Sequence, residues 1–160
     1  MNYRIVEREA FSIIGKGVRV STENGENSKK IPEFWQESNQ DGTTEQLLPF
    51  AKNMGFLGLC LDFDKVQHDF IYMIAVVKPN GANVPASFEE RKIPKATWAV
   101  FDAIGPLPHS VQELWQRIFS EWFPATGYEH SGAPEMEVYP VGEDVTSDLN
   151  RTEIWVPIRK

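Results

Sequence analysis

The sequence predicts an α+β domain with two helices on one side of a curved antiparallel sheet. Its 160 residues suit a single domain, and 41% of them are hydrophobic, which is typical of a globular chain. Apolar residues alternate in some segments, as in strands, and recur at helical spacing in others. The resulting order of elements, ββ-α-ββ followed by β(β)-α-ββ, repeats after about 75 residues. Antiparallel strands with helices kept to one face define the α+β class.

The first half begins with strands and reaches its helix after a polar segment. Tyr3–Val20 carries two bursts of β-branched residues, followed by two glycines, and predicts one or two strands with a bend or bulge. Ser21–Ser28 is polar and is predicted to be a loop. Pro32 suits the first turn of the following helix, whose apolar face begins with Phe34 and Trp35.

A short helical segment and a hairpin complete the first half. Thr43 and Gln46 have the spacing of a capping box, and they predict a short or irregular helix that ends near Pro49. Phe56–Phe63 and Phe70–Lys78 are apolar runs joined by a polar loop, which is the pattern of a β-hairpin.

The second half contains the most regular helical pattern of the chain. Phe88–Pro94 and Lys95–Ile104 are predicted to be extended. A helix over Ser110–Phe123 follows, because Ser110 and Glu113 have capping-box spacing and the apolar residues form one stripe. We expect this stripe to face the core through Leu114, Trp115, Ile118 and Trp122.

Two further strands end the second half, so that its order of elements matches the first. These strands are Glu135–Val141 and Thr152–Arg159. In addition, Pro32–Gln36 of the first helix aligns with Gln112–Gln116 of the second, sharing Glu, Trp and Gln and an apolar position. We interpret the match as a duplication, with approximate repeats 1–80 and 85–160 inside one domain that spans residues 1–160.

The charge balance and the missing motifs argue against several functions. Acidic residues number 23 and basic residues 16, for a net charge of −7, and no basic stripe occurs, so direct nucleic-acid binding is not expected. No nucleophile elbow, phosphate-binding loop or dinucleotide fingerprint is present, and we predict no cofactor. The three histidines lack an i+4 partner and the single cysteine lies in an apolar strand, so we predict no metal site. No apolar run suits a membrane span or a signal-peptide core, which makes the cytoplasm the expected location and membrane binding unexpected.

Two strands place a glutamate beside an aromatic residue on one face. Glu153 shares a face of the last strand with Trp155, and Glu137 shares a face of the preceding strand with Tyr139. One interpretation is a solvated sheet face, on which such neighbours need no explanation. The other is an aromatic-walled cleft with a carboxylate at its floor.

A cleft of the second kind would bind organic cations. A buried carboxylate without a partner costs several kcal/mol, which a bound cation can offset. Aromatic faces add roughly 0.5–2 kcal/mol of cation–π attraction each and accept flat ligands of many shapes. This interpretation therefore predicts tolerant binding of cations, as in a multidrug binder.

Six segments occur in an order that matches a known bacterial family. They are Ile31–Trp35, Ile93–Phe101, Gly105-Pro106, Glu121–Tyr128, Glu137–Tyr139 and Glu153–Ile158. Together they resemble the GyrI-like small-molecule-binding domain, also known as the AraC-type or bacterial transcription activator effector-binding domain, over essentially the whole chain. The resemblance implies two β-α-β-β units related by a pseudo-twofold axis. It also implies a groove between the units that is lined by aromatic residues and holds a glutamate that pairs with cationic drugs.

Carried onto this sequence, the resemblance makes Glu153 and Glu137 the candidate charge partners without choosing between them. Trp98 stands where the family often has tyrosine, so that wall of the groove is expected to differ. Regulators of the family also carry a helix-turn-helix domain, for which these 160 residues leave no room, and we expect a stand-alone member. The candidate ligand-binding residues are Glu153, Glu137, Trp98, Tyr72, Trp155, Tyr139 and Trp35.

Three functions of different classes follow from these observations. The first, which we favour, is a non-enzymatic module that binds amphipathic, cationic small molecules, alone or as the sensor of a transcription regulator. The second is a hydrolase, since some stand-alone GyrI-like proteins resemble hydrolases of reactive cyclopropane-bearing xenobiotics, in which a groove glutamate would act as general base. The third is a protein-interaction module, since the namesake of the family associates with DNA gyrase.

Overall fold

Nine strands form one curved antiparallel sheet in the computed structural model, which describes residues 1–160. The strands are β1 Tyr3–Arg8, β2 Phe11–Ser21, β3 Phe56–Asp64, β4 Asp69–Val77, β5 Glu89–Ile93, β6 Ala96–Ile104, β7 Glu129–His130, β8 Glu135–Tyr139 and β9 Arg151–Arg159. The helices are α1 Glu26–Gln40, α2 Thr43–Leu47, α3 His109–Arg117 and α4 Phe123–Thr126, with 3₁₀ turns at Glu23–Gly25 and Leu48–Phe50 and a π-helical turn at Ile118–Trp122. The predicted α+β class is confirmed. None of the helices combines the length and the apolarity that crossing a bilayer demands.

The strand order is symmetric about the centre of the sheet. Eight strands follow the order β1-β6-β9-β8-β3-β4-β2-β5, and the short β7 pairs with β9. The unit β2-α1-β3-β4 lies on one side of the centre, and the unit β6-α3-β8-β9 lies on the other. From the centre outward, their strands follow in the equivalent orders β3-β4-β2 and β8-β9-β6. Each unit is completed by a strand from the opposite half of the chain, because β1 pairs with β6 and β5 pairs with β2. These are the two β-α-β-β units that the repeated order of elements predicts.

The first long helix begins earlier than the sequence pattern indicates. The polar segment Ser21–Ser28, predicted to be a loop, is mostly helical, so Pro32 lies inside α1 and not in its first turn. Proline has no N–H to donate to the carbonyl four residues earlier, which belongs to Ser28. The side-chain amide of Gln112 on α3 donates to that carbonyl at 3.4 Å. The missing helical hydrogen bond is thus replaced by a contact between α1 and α3.

Neither predicted capping box forms. At α3, which begins at His109, the Ser110 hydroxyl donates to the carbonyl of Gly105, and no side chain caps the helix. At α2, the carboxylate of Asp41 accepts hydrogen bonds from both the backbone N–H and the hydroxyl of Thr43, so the acceptor is Asp41 and not Thr43. In both cases a competing local hydrogen bond takes the hydroxyl that the motif would use.

Buried apolar residues pack on both faces of the sheet. One cluster lies on the face without helices and includes Trp98 and Trp155. On the helix-bearing face, a second cluster packs under α1 around Phe34, and a third packs under α3 around Leu114. The two helix-side clusters are separate, and the space between them opens as a cleft.

Candidate ligand-binding cleft

The cleft lies between α1 and α3, above strands β3 and β8 at the centre of the sheet. Its volume is about 1640 Å³, larger than the roughly 300–1,000 Å³ of most small-molecule sites. Trp35 of α1 and Trp115 of α3 line its two sides, while Glu137 of β8 lies at its floor and Tyr139 of the same strand lies on the Trp35 side. The cleft therefore occupies the position between the two units and has room for a bulky ligand.

Glu137 is a buried carboxylate that only neutral groups contact. Its residue is 7% exposed. Oε1 accepts hydrogen bonds from the hydroxyls of Tyr139 at 2.7 Å and Tyr72 at 3.0 Å, and Oε2 accepts one from the indole N–H of Trp115 at 2.8 Å. No lysine, arginine or histidine forms an ion pair with it. The negative charge at the floor of the cleft has no positive partner within the protein.

The surroundings of Glu137 act on its pKa in opposite directions. Burial raises the pKa above its ordinary value, and the hydrogen bonds from Tyr139, Trp115 and Tyr72 oppose that rise because they stabilise the ionised form. The pKa values of Tyr72 and Tyr139 are themselves well above the usual range, chiefly through burial and also through the nearby Glu137 charge. Both hydroxyls consequently stay protonated and remain donors to the carboxylate.

A second layer of residues positions the carboxylate. The indole N–H of Trp35 donates to the hydroxyl of Tyr72 at 2.8 Å, and Tyr72 in turn donates to Glu137. Gly58 lies directly opposite Glu137 in the β3–β8 pair. A Cβ at this glycine would lie 2.1 Å from the Tyr72 hydroxyl and 3.0 Å from Glu137 Oε1. Only glycine leaves space here for the hydroxyl to reach the carboxylate.

Four of the residues predicted for the site contribute to this arrangement. Glu137, Tyr139 and Trp35 line the cleft. Tyr72 does not line it, since its side chain is fully buried in the cluster under α1, from which its hydroxyl reaches Glu137. Trp35 packs edge-to-face on Tyr139 at a centroid distance of 5.0 Å, so the two rings form one continuous wall.

The other three predicted residues lie on the opposite face of the sheet. Val138 pairs directly with Glu153, and residues that pair directly share a face, so Glu153 points away from the side that Glu137 occupies. Glu153 is ion-paired with Arg4 at 2.7 Å and with Arg151 at 3.5 Å, and none of these lines the cleft. The remaining two, Trp98 and Trp155, pack on each other in the core of that face.

Trp115 lines the cleft but is not among the ligand-binding residues predicted from the sequence. Trp115 was expected to pack in the core with Leu114, Ile118 and Trp122, which are indeed buried, but it is only half-buried and lines the cleft. A signal was present in the internal repeat, because Trp115 aligns with Trp35, which was assigned to the site. Equivalent residues of two symmetric units are expected to face the same central groove.

Comparisons with known proteins agree with this fold. The family model of the GyrI-like small molecule binding domain matches residues 1–159. The structure of SAV2435 bound to tetraphenylphosphonium is 27% identical, with a TM-score of 0.86, and the match covers 99% of this chain and 94% of that one. A protein from Staphylococcus aureus MU50, described as a bacterial transcription regulation protein, is 26% identical with a TM-score of 0.81, covering 100% and 99% of the two chains. The C-terminal domain of EcmrR, at 18% identity and a TM-score of 0.62 over 99% and 98% of the chains, shares the fold. No curated protein matches the sequence.

Proposed function

Because the chain belongs to the GyrI-like small-molecule-binding family, we propose that its cleft binds bulky organic cations with Glu137 as the charge partner. The observation that carries the proposal is a carboxylate that is buried at the floor of a large cleft and lacks a cationic partner. Leaving such a charge unpaired is costly in a low-dielectric site. A ligand that brings a positive charge to Glu137 removes this cost, whereas a neutral ligand of the same shape leaves it in place.

The walls of the cleft favour an aromatic or otherwise flat apolar cation. Trp35 and Tyr139 form one wall with Phe56, and Trp115 and Phe119 are near-parallel on the other, at a centroid distance of 5.9 Å. Each aromatic face that a cation contacts adds cation–π attraction. Stacking and one charge impose little restriction on ligand shape, so the site is expected to accept several unrelated cations.

The bound ligand of a relative supports the same ligand class. Tetraphenylphosphonium, bound to SAV2435, carries one positive charge within four phenyl groups. A cleft of about 1640 Å³ is large enough for a molecule of this bulk. Tetraphenylphosphonium is therefore a suitable first probe for this chain.

A pair of ligands of equal shape and opposite charge tests the proposal. Tetraphenylphosphonium and tetraphenylborate are both titrated into the protein by isothermal titration calorimetry. The phosphonium should bind at a single site, and the borate at least about tenfold more weakly, because it meets the Glu137 carboxylate as a like charge. Equal or tighter binding of the borate would contradict a negatively charged floor. Turnover of a strained electrophile by a protein that binds neither ion would favour the hydrolase alternative.

A further inference from the structure

A second carboxylate lies in the cleft beside Glu137. Glu135 precedes Glu137 by two residues on β8, so both side chains leave the same face of the sheet, and both line the cleft. The Glu135 side chain is 13% exposed. Alternate residues of a strand are separated by roughly 7 Å, which sets the approximate spacing of the two carboxylates along the floor.

His130 is the one side chain that forms a hydrogen bond with the Glu135 carboxylate. The backbone N–H of Gly132 donates to Nδ1 of His130 at 3.0 Å, so Nε2 is the nitrogen that carries a proton toward Glu135 Oε2, also at 3.0 Å. A neutral imidazole satisfies both of these hydrogen bonds. Glu135 Oε1 accepts no hydrogen bond from the protein. Glu135 thus resembles Glu137 in being held by a neutral donor and in lacking a lysine or arginine partner.

The other carboxylates that line the cleft already have hydrogen-bond or ion-pair partners, and its lysine is positively charged. Asp69 forms an ion pair with Arg19 at 2.7 Å, and Asp64 accepts backbone hydrogen bonds within the β3–β4 turn. Lys65 of the same turn is positive and would repel a cation at that end. Glu135 and Glu137 are therefore the two carboxylates at which added positive charge would be favoured.

A strip of aromatic rings connects the two carboxylates. Trp115, which donates to Glu137, lies near-parallel to Phe119, with an interplanar angle of 18°. Phe119 in turn lies near-parallel to His130, with an angle of 16° and a centroid distance of 6.4 Å. His130 ends the strip at Glu135. A flat ligand that lies along these rings has one carboxylate near each of its ends.

We infer that the cleft takes flat aromatic dications, with one positive charge at Glu137 and the other at Glu135. This inference rests on the proposed function and adds a second cation subsite to it. The two carboxylates also repel each other: Glu135 adds to the rise in the pKa of Glu137, whose larger cause is burial. A monocation neutralises one of the two charges, whereas a dication of matching length neutralises both.

Two probes of nearly equal shape separate the second subsite from the first. Methyl viologen is a flat dication whose two nitrogens lie about as far apart as alternate residues of a strand. N-methyl-para-phenylpyridinium has a phenyl ring in place of one pyridinium ring and carries a single charge. Both are titrated by calorimetry into the parent protein, Glu135→Gln and Glu129→Gln. Glu129 is ion-paired with Arg159 outside the cleft, so its substitution makes the same change in net charge.

The parent and Glu129→Gln should bind methyl viologen about tenfold or more tightly than the monocation, and Glu135→Gln should bind the two within roughly threefold of each other. His130→Leu, which removes the partner that competes for Glu135, should raise the preference for the dication.

An equal preference in Glu135→Gln and Glu129→Gln would overturn the second subsite, because the preference would then reflect net charge. Monocation binding without a preference for the dication in the parent would overturn it while leaving the proposed function standing. Failure of both probes and of tetraphenylphosphonium to bind would overturn the proposed function as well.

Discussion

Glu137 and Glu153 show how one local pattern leads to two different environments. Each glutamate precedes an aromatic residue by two positions on a strand, so periodicity treats them alike. In the fold, Glu153 is ion-paired with Arg4 and Arg151, while Glu137 is buried among neutral donors. The charge of Glu153 is therefore already balanced, and that of Glu137 is not. This difference decides which of the two is the candidate charge partner.

The raised pKa of Glu137 predicts that cation affinity depends on pH. In the folded protein the pKa of Glu137 lies above its ordinary value of 4.5, chiefly because the carboxyl is buried. Glu137 therefore takes up a proton at a higher pH in the fold than in the unfolded chain. Its contribution to folding stability is present in full below the ordinary pKa and is lost as the pH rises through the raised one. Cation binding has the opposite dependence, because only the ionised carboxylate attracts the ligand. Lowering the pH should therefore weaken tetraphenylphosphonium binding, and the loss of affinity should set in while the pH is still above 4.5.

Two variants serve as controls for this pH dependence. In Glu137→Gln the fall in affinity should be absent. His130 also lines the cleft and hydrogen-bonds to Glu135, so His130→Asn should retain the fall if Glu137 is its cause. A fall that disappears in His130→Asn and persists in Glu137→Gln would contradict this assignment.

The two long helices have equivalent roles, which is visible in the pair of tryptophans that they carry. Trp35 of α1 donates to Tyr72, and Trp115 of α3 donates to Glu137, at 2.8 Å in each case. In both helices the residue before the tryptophan is apolar and buried: Phe34 in α1 and Leu114 in α3. Each helix thus fixes itself to the sheet with one residue and presents the next to the cleft.

Trp115 of helix α3 and Trp122 of the π-helical turn after it are expected to differ in how much they contribute to stability and to ligand binding. Trp122 is 4% exposed and packs on Phe101 and Tyr3, so Trp122→Ala should lower the free energy of unfolding by about 3–5 kcal/mol. Trp115 is half-buried and lines the cleft, so Trp115→Ala should lower it by less and should weaken tetraphenylphosphonium binding by about tenfold. Urea unfolding and calorimetric titration of both variants provide the two measurements. A larger stability loss in Trp115→Ala than in Trp122→Ala would show that Trp115 is a core residue after all.

The symmetry of the whole sheet predicts that neither half of the chain folds alone. Strand β1 of the first half pairs with β6 of the second, and β5 of the second half pairs with β2 of the first. A fragment of residues 1–80 or 85–160 therefore lacks one edge strand and the whole β3–β8 contact at its centre. We expect each fragment alone to lack near-ultraviolet circular dichroism and a cooperative thermal transition, and the mixture to recover both. A cooperative transition in either fragment by itself would contradict this expectation.

Much of the fold could be predicted from the sequence, whereas the composition of the site could be predicted only in part. The period-2 pattern correctly placed Glu137 and Tyr139 on one face of their strand, and both line the cleft. The choice between Glu137 and Glu153 depends on the register between β8 and β9, which is a long-range property that no local pattern contains.

The helical segments show a similar limit. The segment Ser21–Ser28 is polar because it is exposed, and exposure alone does not distinguish a loop from the solvent side of a helix. Composition therefore does not predict its helical state, and the predicted position of Pro32 in the first turn of the helix is wrong for the same reason. The half-buried position of Trp115 likewise results from the separation of the two helices, which the stripe of apolar residues does not encode.

Neutralising one glutamate on each face of the sheet tests directly whether Glu137 pairs with a bound cation. Tetraphenylphosphonium is titrated by calorimetry into the parent, Glu137→Gln and Glu153→Gln, each checked for an unchanged circular dichroism spectrum. We expect a loss of about 1.5–3 kcal/mol in Glu137→Gln, or roughly 10- to 150-fold in affinity, and no more than about twofold in Glu153→Gln. Binding by Glu137→Gln that equals the parent, or a larger loss in Glu153→Gln, would contradict the assignment of the buried carboxylate as the partner of a cationic ligand.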